Sequence, residues 1–214
     1  MVLKGNCTWH PEAESKRGVD VGYSAQGNSG IQIEDNYFMG GANALELKGV
    51  LDATVRGNTF WAPDGMVRVA YAPNADKSRV VFARNTYIEN GKFDLAKWQA
   101  EIGSAKTDKV AAGKDGRPTG LHVLVRVNQY EPERVHLAVY NWDRKDAVRI
   151  DLKGVLNAGD AYRVVSVLDY FGKPVAEGKA AGPYIDLPMQ GRRYEPEFGA
   201  YVFFRTQGGG HAPP

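Results

Sequence analysis

One short pattern returns four times in the first 90 residues, and it limits the folds open to this chain. Each copy has an apolar residue, two further residues, an asparagine, and a threonine or aromatic residue two positions later. The copies are LKGNCTWH, IEDNYFMG, VRGNTFWA and FARNTYIE, built around Asn6, Asn36, Asn58 and Asn85. These asparagines lie 30, 22 and 27 residues apart. A period of about 20–30 residues with insertions is typical of a solenoid, in which similar units stack on one another.

Each repeat also carries a strand-like piece outside the asparagine pattern. VDVGY (19–23), ALELK (44–48) and MVRVAY (66–71) alternate apolar and polar residues, which is the period of a β-strand. The segments between them, such as MGGAN and APDG, are rich in turn-forming residues. The sequence therefore predicts that residues 1–90 form about four coils of a parallel β-helix.

The asparagines have a structural role in this interpretation. A sharp turn between two strands leaves backbone polar groups inside the stack, and an asparagine amide both donates and accepts hydrogen bonds. We expect the four side chains to form a ladder, with Phe38, Phe60 and Tyr87 stacked as an aromatic column two residues further on.

The pattern resembles the right-handed parallel β-helix family that contains pectate lyases, polygalacturonases and related carbohydrate-active proteins. The resemblance covers about residues 1–103 and is far more specific for the fold than for one activity. It implies a polysaccharide as partner, held along one outer face of the coils. It also implies polysaccharide lyase or glycoside hydrolase chemistry, and a bacterial protein at the cell surface or secreted.

The rest of the chain changes character. FDLAKWQAEIG predicts a helix near 94–102 with Asp94 as N-cap, placed to cover the open end of the coils. Residues 104–120 are polar and are interpreted as a linker. Short strand patterns from Leu121 predict an antiparallel β-sandwich of about six to eight strands over 121–206, followed by a disordered tail at 207–214. The fold class is thus all-β, a short β-helix followed by a sandwich. NQYEPERVHLAVYNW, GDAYRVVSVLDYFGKPV and LPM resemble the sandwich that follows the β-helix in some bacterial secreted proteins.

Alternation along the coils also assigns candidate site residues. Asp20, Glu46 and Arg68 are expected to stack outward as one column, with Lys48 one step along, and these four are the candidate catalytic residues. Two carboxyls could serve glycoside hydrolysis, and an arginine or lysine could be the base of a lyase. Glu34 and Arg56 are expected to extend the same charged surface as substrate-binding residues. The alternative is a solvated sheet face whose opposite charges pair across strands.

Three aromatic residues complete the candidate substrate-binding set. Trp9 and Trp61 stand three residues after their asparagines, so they hold equivalent positions, and Tyr71 ends a predicted strand. If the two tryptophan rings point outward they form a stacking stripe for sugars; if they point inward they belong to the core.

Several classes of partner and cofactor are disfavoured. A formal charge of +2 argues against a nucleic-acid or membrane partner, and no apolar run reaches the length of a membrane span. Cys7 is the one cysteine, so an internal disulfide is excluded. The first residues lack the apolar core that is typical of a signal peptide. The four histidines have no metal-ligand spacing, and no cofactor or bound metal is expected. Calcium is the one candidate ion, through a carboxylate set without a calcium-loop motif: Asp20, Glu34, Asp35 and Glu46.

The first strand pattern begins at Met1, inside a coil. This suggests that the chain is the C-terminal part of a longer β-helix protein, and that its exposed first rung is a candidate surface for a homodimer. Three functions compete: a polysaccharide-degrading enzyme, a non-catalytic carbohydrate-binding module, and a structural stalk of a surface protein. The substrate and linkage stay open.

Overall fold

The computed structural model describes residues 1–11, 18–23 and 27–206. These residues form nineteen strands, one α-helix and three short 3-10 helices, so the protein is all-β. The chain divides into two compact units, Met1–Pro118 and Thr119–Pro214. The tail predicted at 207–214 lies outside the described residues.

In the first unit the chain passes repeatedly through three parallel sheets. One strand from each sheet, taken in chain order, makes a rung. The strands are β1 (Val2–Lys4), β2 (Cys7–His10), β3 (Val19–Val21), β4 (Ile31–Glu34), β5 (Tyr37–Gly40), β6 (Asn43–Val50), β7 (Ala53–Arg56), β8 (Thr59–Trp61), β9 (Gly65–Tyr71), β10 (Val80–Ala83), β11 (Thr86–Ile88) and β12 (Lys109–Ala111). The first sheet has the order β1-β4-β7-β10, the second β2-β5-β8-β11-β12 and the third β3-β6-β9.

The register of these sheets stacks equivalent residues of successive repeats. In the first sheet Ile33 pairs with Val55, and Val55 with Phe82; all three are fully buried. In the second sheet the rings of Phe38 and Phe60 lie 6.0 Å apart and those of Phe60 and Tyr87 lie 5.5 Å apart. The predicted aromatic column is therefore confirmed, and the core of the unit lies between the three sheets.

The predicted asparagine ladder is also confirmed. The side-chain amide nitrogen of Asn36 donates to Oδ1 of Asn58 at 2.8 Å, and that of Asn58 donates to Oδ1 of Asn85 at 3.0 Å. The backbone amides of Asn36 and Asn58 donate to the same two oxygens at 3.0 Å. Asn58 and Asn85 are fully buried, so the ladder satisfies turn groups that water cannot reach.

The segment interpreted as a linker is corrected by the structure. Within 104–120, β12 pairs in parallel with β11 and adds a fifth strand to the second sheet. Asp108, which precedes β12, takes the next position in the ladder and accepts from the backbone amide of Asn85 at 2.9 Å. The polar composition misled because β12 is the edge strand of this sheet, where Lys109 is exposed and even Val110, in register with the buried Tyr87, stays 40% exposed.

The one α-helix of the described residues, α1 (Leu95–Glu101), follows β11. Asp94 is its N-cap and accepts from the backbone amide of Lys97 at 3.0 Å. Trp98 on the inner face of α1 is buried, and its ring meets Phe82 edge-on at 5.0 Å. The helix thus covers the last apolar residues of the first sheet.

The second unit has two antiparallel sheets around one core. Its strands are β13 (Leu121–Val127), β14 (Arg134–Asn141), β15 (Ala147–Asp151), β16 (Ala161–Ser166), β17 (Ala176–Lys179), β18 (Tyr184–Pro188) and β19 (Phe198–Thr206). The larger sheet has the order β13-β14-β19-β16-β17, and β15 pairs with β18. Leu137, Ile150, Val164, Leu187 and Phe203 are among the residues buried between them. This is the two-sheet arrangement predicted from the short strand patterns.

Candidate functional site

The third sheet carries the predicted column of charges. Asp20 pairs in register with Glu46, and Glu46 with Arg68, so the predicted alignment is confirmed. The ammonium of Lys48 lies 2.7 Å from Asp20 and 3.7 Å from Glu46. The guanidinium of Arg68 lies 3.4 Å from Glu46. Every carboxylate of the column therefore has a cationic partner, which is the arrangement of a structural ion-pair ladder.

The structure separates Glu34 and Arg56 from that column. Both belong to the first sheet, where Arg56 lies 2.7 Å from Glu34 and Lys4 lies 3.3 Å from it. The Glu34 side chain is only 9% exposed. The prediction of one continuous charged surface is therefore wrong, since β4 and β7 turn into a different sheet from β3 and β6. Glu34 is engaged by its own neighbours rather than held ready for a substrate.

The predicted tryptophan stripe is corrected too. Trp9 and Trp61 do share a register position, through Met39, but Trp61 is only 2% exposed. Its indole nitrogen donates to the carbonyl of Gly116 at 2.9 Å, and Arg117 covers its ring at 5.3 Å. Trp61 is a core residue, while Trp9 is half-buried on the first rung.

A groove opens beside the outer edge of the third sheet, between β9 and α1. The first and second sheets continue into β10 and β11, but among the described residues no strand follows β9 in the third sheet. The chain forms α1 at this point instead. We call the resulting space the β9–α1 groove; its volume is about 460 Å³. Its lining comprises Asp64, Gly65, Met66, Val67, Arg68, Val69, Asn90, Lys92, Phe93, Asp94, Lys97, Trp98 and Glu101.

The floor of the groove is held by a buried asparagine. Asn90 donates to the carbonyl of Ala62 at 2.8 Å and accepts from the backbone amides of Lys92 and Phe93, both at 2.9 Å. The Phe93 ring stacks on Tyr87 at 4.4 Å and so continues the aromatic column into the groove. These bonds fix the loop that carries the ammonium of Lys92, which lies 2.8 Å from Asp64.

Three cationic side chains line the groove together with three acidic ones, Asp64, Asp94 and Glu101. Arg68 is 67% exposed and links the groove to the ion-pair column, and Lys92 is 59% exposed. Lys97 extends from the first turns of α1 and has no ion pair with any described residue. Exposed cations of this kind attract anionic groups, and their hydrogen bonds to carboxylates are stronger than those between neutral groups.

A second depression, of about 300 Å³, lies on the other side of Glu101. Tyr71 lines it, with the ammonium of Lys77 lying 5.1 Å from the ring centre. Burial, followed by the negative charge of Glu101, raises the pKa of the Tyr71 phenol. The phenol therefore stays protonated at neutral pH. Of the predicted substrate-binding residues, only Tyr71 lies at the edge of this recessed region, and of the predicted catalytic residues only Arg68 does.

Sequence reasoning missed four residues of the groove: Lys92, Phe93, Lys97 and Glu101. The first two belong to the loop before α1, and the other two to a helix interpreted only as a cover. The available signal was the helix itself, because a helix cannot continue a β-sheet and must leave one sheet edge open.

The described ranges contain no group of three or more histidine, cysteine or acidic side chains that could hold a metal ion. In particular, the carboxylates considered for calcium are divided between two sheets. None of the helices that the structure describes combines the length and the apolar character needed to cross a bilayer.

Comparison with known proteins finds no matching family model, no matching curated protein and no matching solved structure.

Proposed function

We propose that the first unit is a short right-handed parallel β-helix that binds a polysaccharide chain along the β9–α1 groove. The single observation that carries this proposal is the groove itself. An open strand edge, an aromatic floor and three cationic side chains line about 460 Å³ of space beside the charged face. Ligand sites are concave and combine apolar surface with a few well-placed polar groups.

The chemistry of the groove suits a sugar polymer with acidic groups. Arg68, Lys92 and Lys97 can bind carboxylate or sulfate groups, and the backbone of β9 offers amides and carbonyls to hydroxyl groups. The second depression adjoins the groove at Glu101, so successive sugars of one chain can occupy both. β9 has seven residues, and a strand of that length spans about 23 Å, which is several sugar units long.

Binding without turnover is the favoured form of this function. Asp20 and Glu46 of the predicted catalytic column are both held by Lys48, and Glu46 also by Arg68. A catalytic carboxyl needs an oxygen free to reach the glycosidic bond, and the ion pairs with Lys48 and Arg68 engage the oxygens of this column. The carboxylates of the column therefore support the sheet, and the exposed side chain of Arg68, together with Lys92 and Lys97, holds the ligand.

The test is a panel of pectate, alginate, xylan, cellulose and chitin, with and without calcium. Binding is measured by affinity electrophoresis, and turnover by reducing ends and by the ultraviolet absorbance of unsaturated products. We expect an acidic polymer to bind, and Arg68→Ala with Lys97→Ala to weaken it about 10- to 100-fold, because two charged hydrogen bonds are lost.

The matched control is Arg79→Ala with Lys109→Ala. Arg79 is 62% exposed in the same unit, and neither residue lines the groove. Failure of every polymer to bind, or equal weakening by both double variants, contradicts the proposal. Formation of product by the wild-type chain would show that the protein is an enzyme. The double variant Asp20→Asn with Glu46→Gln then tests whether the charged column is catalytic.

A further inference from the structure

One edge of the larger sheet in the second unit is open. β13 is the first strand in the order β13-β14-β19-β16-β17, and among the described residues no strand pairs with its other edge. Its register with β14 runs without a bulge from Leu121, opposite Asn141, to Val127, opposite Val135. β13 is therefore a regular strand of seven residues whose outer row of amides and carbonyls can accept a further strand.

The two edges of this sheet differ in how they are protected against pairing. Short edge strands and charged residues discourage the addition of another strand. β17, at the far edge, has four residues, AEGK, of which two are charged. β13 has the sequence LHVLVRV, in which Arg126 is the one permanently charged residue and proline and glycine are absent. The sequence thus protects one edge and leaves the other suited to pairing.

An apolar strip accompanies the open edge. Val125 stands opposite Leu137, which is buried in the core, so the odd-numbered side chains of β13 lie on the inner face of the sheet. Nevertheless Leu121, Val125 and Val127 are 41%, 38% and 50% exposed. Val123 is the one residue of β13 that packs against the buried core, because the opposing sheet has two strands against five.

Hydrogen bonds at the two ends of β13 show which backbone groups point outward. The amide of Trp142 donates to the carbonyl of Gly120 at 3.0 Å, and the amide of Asn128 donates to the carbonyl of Arg134 at 2.9 Å. Opposite residues of an antiparallel pair alternate between those that exchange hydrogen bonds and those that do not, so the even-numbered residues of β13 bond to β14. The odd-numbered residues direct their amides and carbonyls away from β14, and no hydrogen bond within the described ranges engages these groups: Leu121, Val123, Val125 and Val127.

We propose that β13 pairs antiparallel with β13 of a second copy of the chain, around a two-fold axis that passes between the two Leu124 residues. This axis places Leu121 opposite Val127 of the partner subunit, and Val123 opposite Val125 of the partner subunit. Every outward residue then faces another, and each opposite pair exchanges two hydrogen bonds, which gives about eight. A typical interface carries about 10 ± 5 hydrogen bonds, and a patch that meets itself is the usual form of a two-fold dimer.

The side chains of β13 favour a second copy as the occupant. On the inner face the pairing sets the odd-numbered residues only against one another, so each exposed side chain gains an apolar neighbour. On the other face Leu124 meets its own equivalent, and Arg126 stands opposite His122 of the partner subunit. Burial lowers the pKa of His122, so this ring is neutral at pH 7 and sets no like charge against Arg126. The strand is thus complementary to itself in hydrogen bonds, apolar surface and charge.

Sedimentation velocity of the full chain over a concentration series, without any polysaccharide, tests this pairing independently of the groove. We expect the mass to rise from 23.5 kDa to twice that value. Val125→Pro removes an outward amide and leaves the bonds to β14 intact. Because the axis makes the substitution act twice, we expect it to weaken the dimer at least about 10-fold. Val125→Thr keeps the amide and the β-branched shape and is the matched control.

A disulfide experiment reports the register. In a Cys7→Ser background, Leu124→Cys brings two thiols directly opposite each other across the axis, at a position that exchanges no hydrogen bonds. The Cα atoms of such a pair lie about 4.5 Å apart, which is within disulfide reach. Arg126→Cys on the same face is the matched control, because its equivalent in the partner lies four residues out of register, about 13 Å along the strand. We expect oxidation to link Leu124→Cys into covalent dimers and to leave Arg126→Cys unlinked.

Three outcomes would overturn the proposal. A wild type that stays monomeric at the highest concentration would leave this edge to a strand of another protein. A Val125→Pro variant that is folded by circular dichroism and dimerises as tightly as Val125→Thr would show that β13 is not the interface. Equal cross-linking of Leu124→Cys and Arg126→Cys would exclude the two-fold pairing even in a dimeric protein.

Discussion

The loss of stability caused by replacing an asparagine of the ladder depends on how deeply that asparagine is buried. Asn58 is fully buried; it donates to the carbonyl of Ile33 at 2.9 Å and accepts the backbone amide of Asn36 at 3.0 Å. Asn58→Ala leaves that amide without an acceptor and the carbonyl short of a donor, where water has no access. Each buried group without a partner costs about 1–3 kcal/mol, so we expect Asn58→Ala to lower the free energy of unfolding by about 2–5 kcal/mol.

The same substitution at the first asparagine of the ladder should be mild. Asn6 is exposed, and Oδ1 of Asn36 still accepts from the backbone amide of Asn6, at 2.7 Å, when the side chain is removed. Water reaches the groups that lose a partner, so we expect Asn6→Ala to lower the free energy of unfolding by at most about 1 kcal/mol.

Hydrogen–deuterium exchange of the full chain, resolved by peptide, measures both costs. Amides of β4, β5, β7 and β8 report the parallel unit, and those of β14 and β19 are an internal reference in the second unit. Equal effects of Asn6→Ala and Asn58→Ala, or a cost below about 1 kcal/mol for Asn58→Ala, would refute the reasoning that burial of the ladder sets its value.

Three further outcomes are expected. Asp108→Asn should lower the stability of the first unit by about 1–3 kcal/mol in urea unfolding, because Oδ2 of the carboxylate accepts from the side-chain amide of Asn85 at 3.3 Å and an amide nitrogen there would place donor against donor. Burial raises the pKa of Tyr87 and of Tyr201, so both phenols are neutral in the folded state. Their contribution to the free energy of unfolding should be constant below the ordinary tyrosine pKa of about 10 and should fall as pH rises beyond it, because only the unfolded chain then loses the protons. Replacing both tyrosines with Phe should make this alkaline loss of stability smaller. Tyr201→Phe should destabilise the second unit alone, because the Glu195 carboxylate loses the hydroxyl that donates to it at 2.6 Å. Faster hydrogen–deuterium exchange of the β19 amides will show this effect.

Local pattern was sufficient for the parts of the fold that repeat. The alternation in ALELK and MVRVAY predicted which residues stack, and the register of Glu46 with Arg68 follows it. The asparagine spacing predicted the ladder, because each turn repeats the same need for a buried donor and acceptor. Similarly, the helix begins after Asp94, where the capping residue and the apolar spacing of 95–102 agree.

The candidate site was less accessible to sequence reasoning. Glu34 was expected to extend the charged surface of Glu46, yet the two lie in different sheets, because two turns, at Asp35 and at Gly40–Gly41, separate β4 from β6. The sequence left open whether Trp61 points outward or inward; it is buried, since Gly116 and Arg117 return to cover it from 55 residues or more along the chain.

The sequence by itself thus determined the stacking of strands and the ladder, because these depend on short-range periodicity and on the hydrogen-bonding capacity of asparagine. Only the tertiary structure decided where the candidate groove lies. The β9–α1 groove exists because the third sheet stops one strand before the first sheet and two strands before the second, and Arg68, Lys92 and Lys97 line that gap. No local sequence pattern encodes such a gap, since it arises because the three sheets have different numbers of strands.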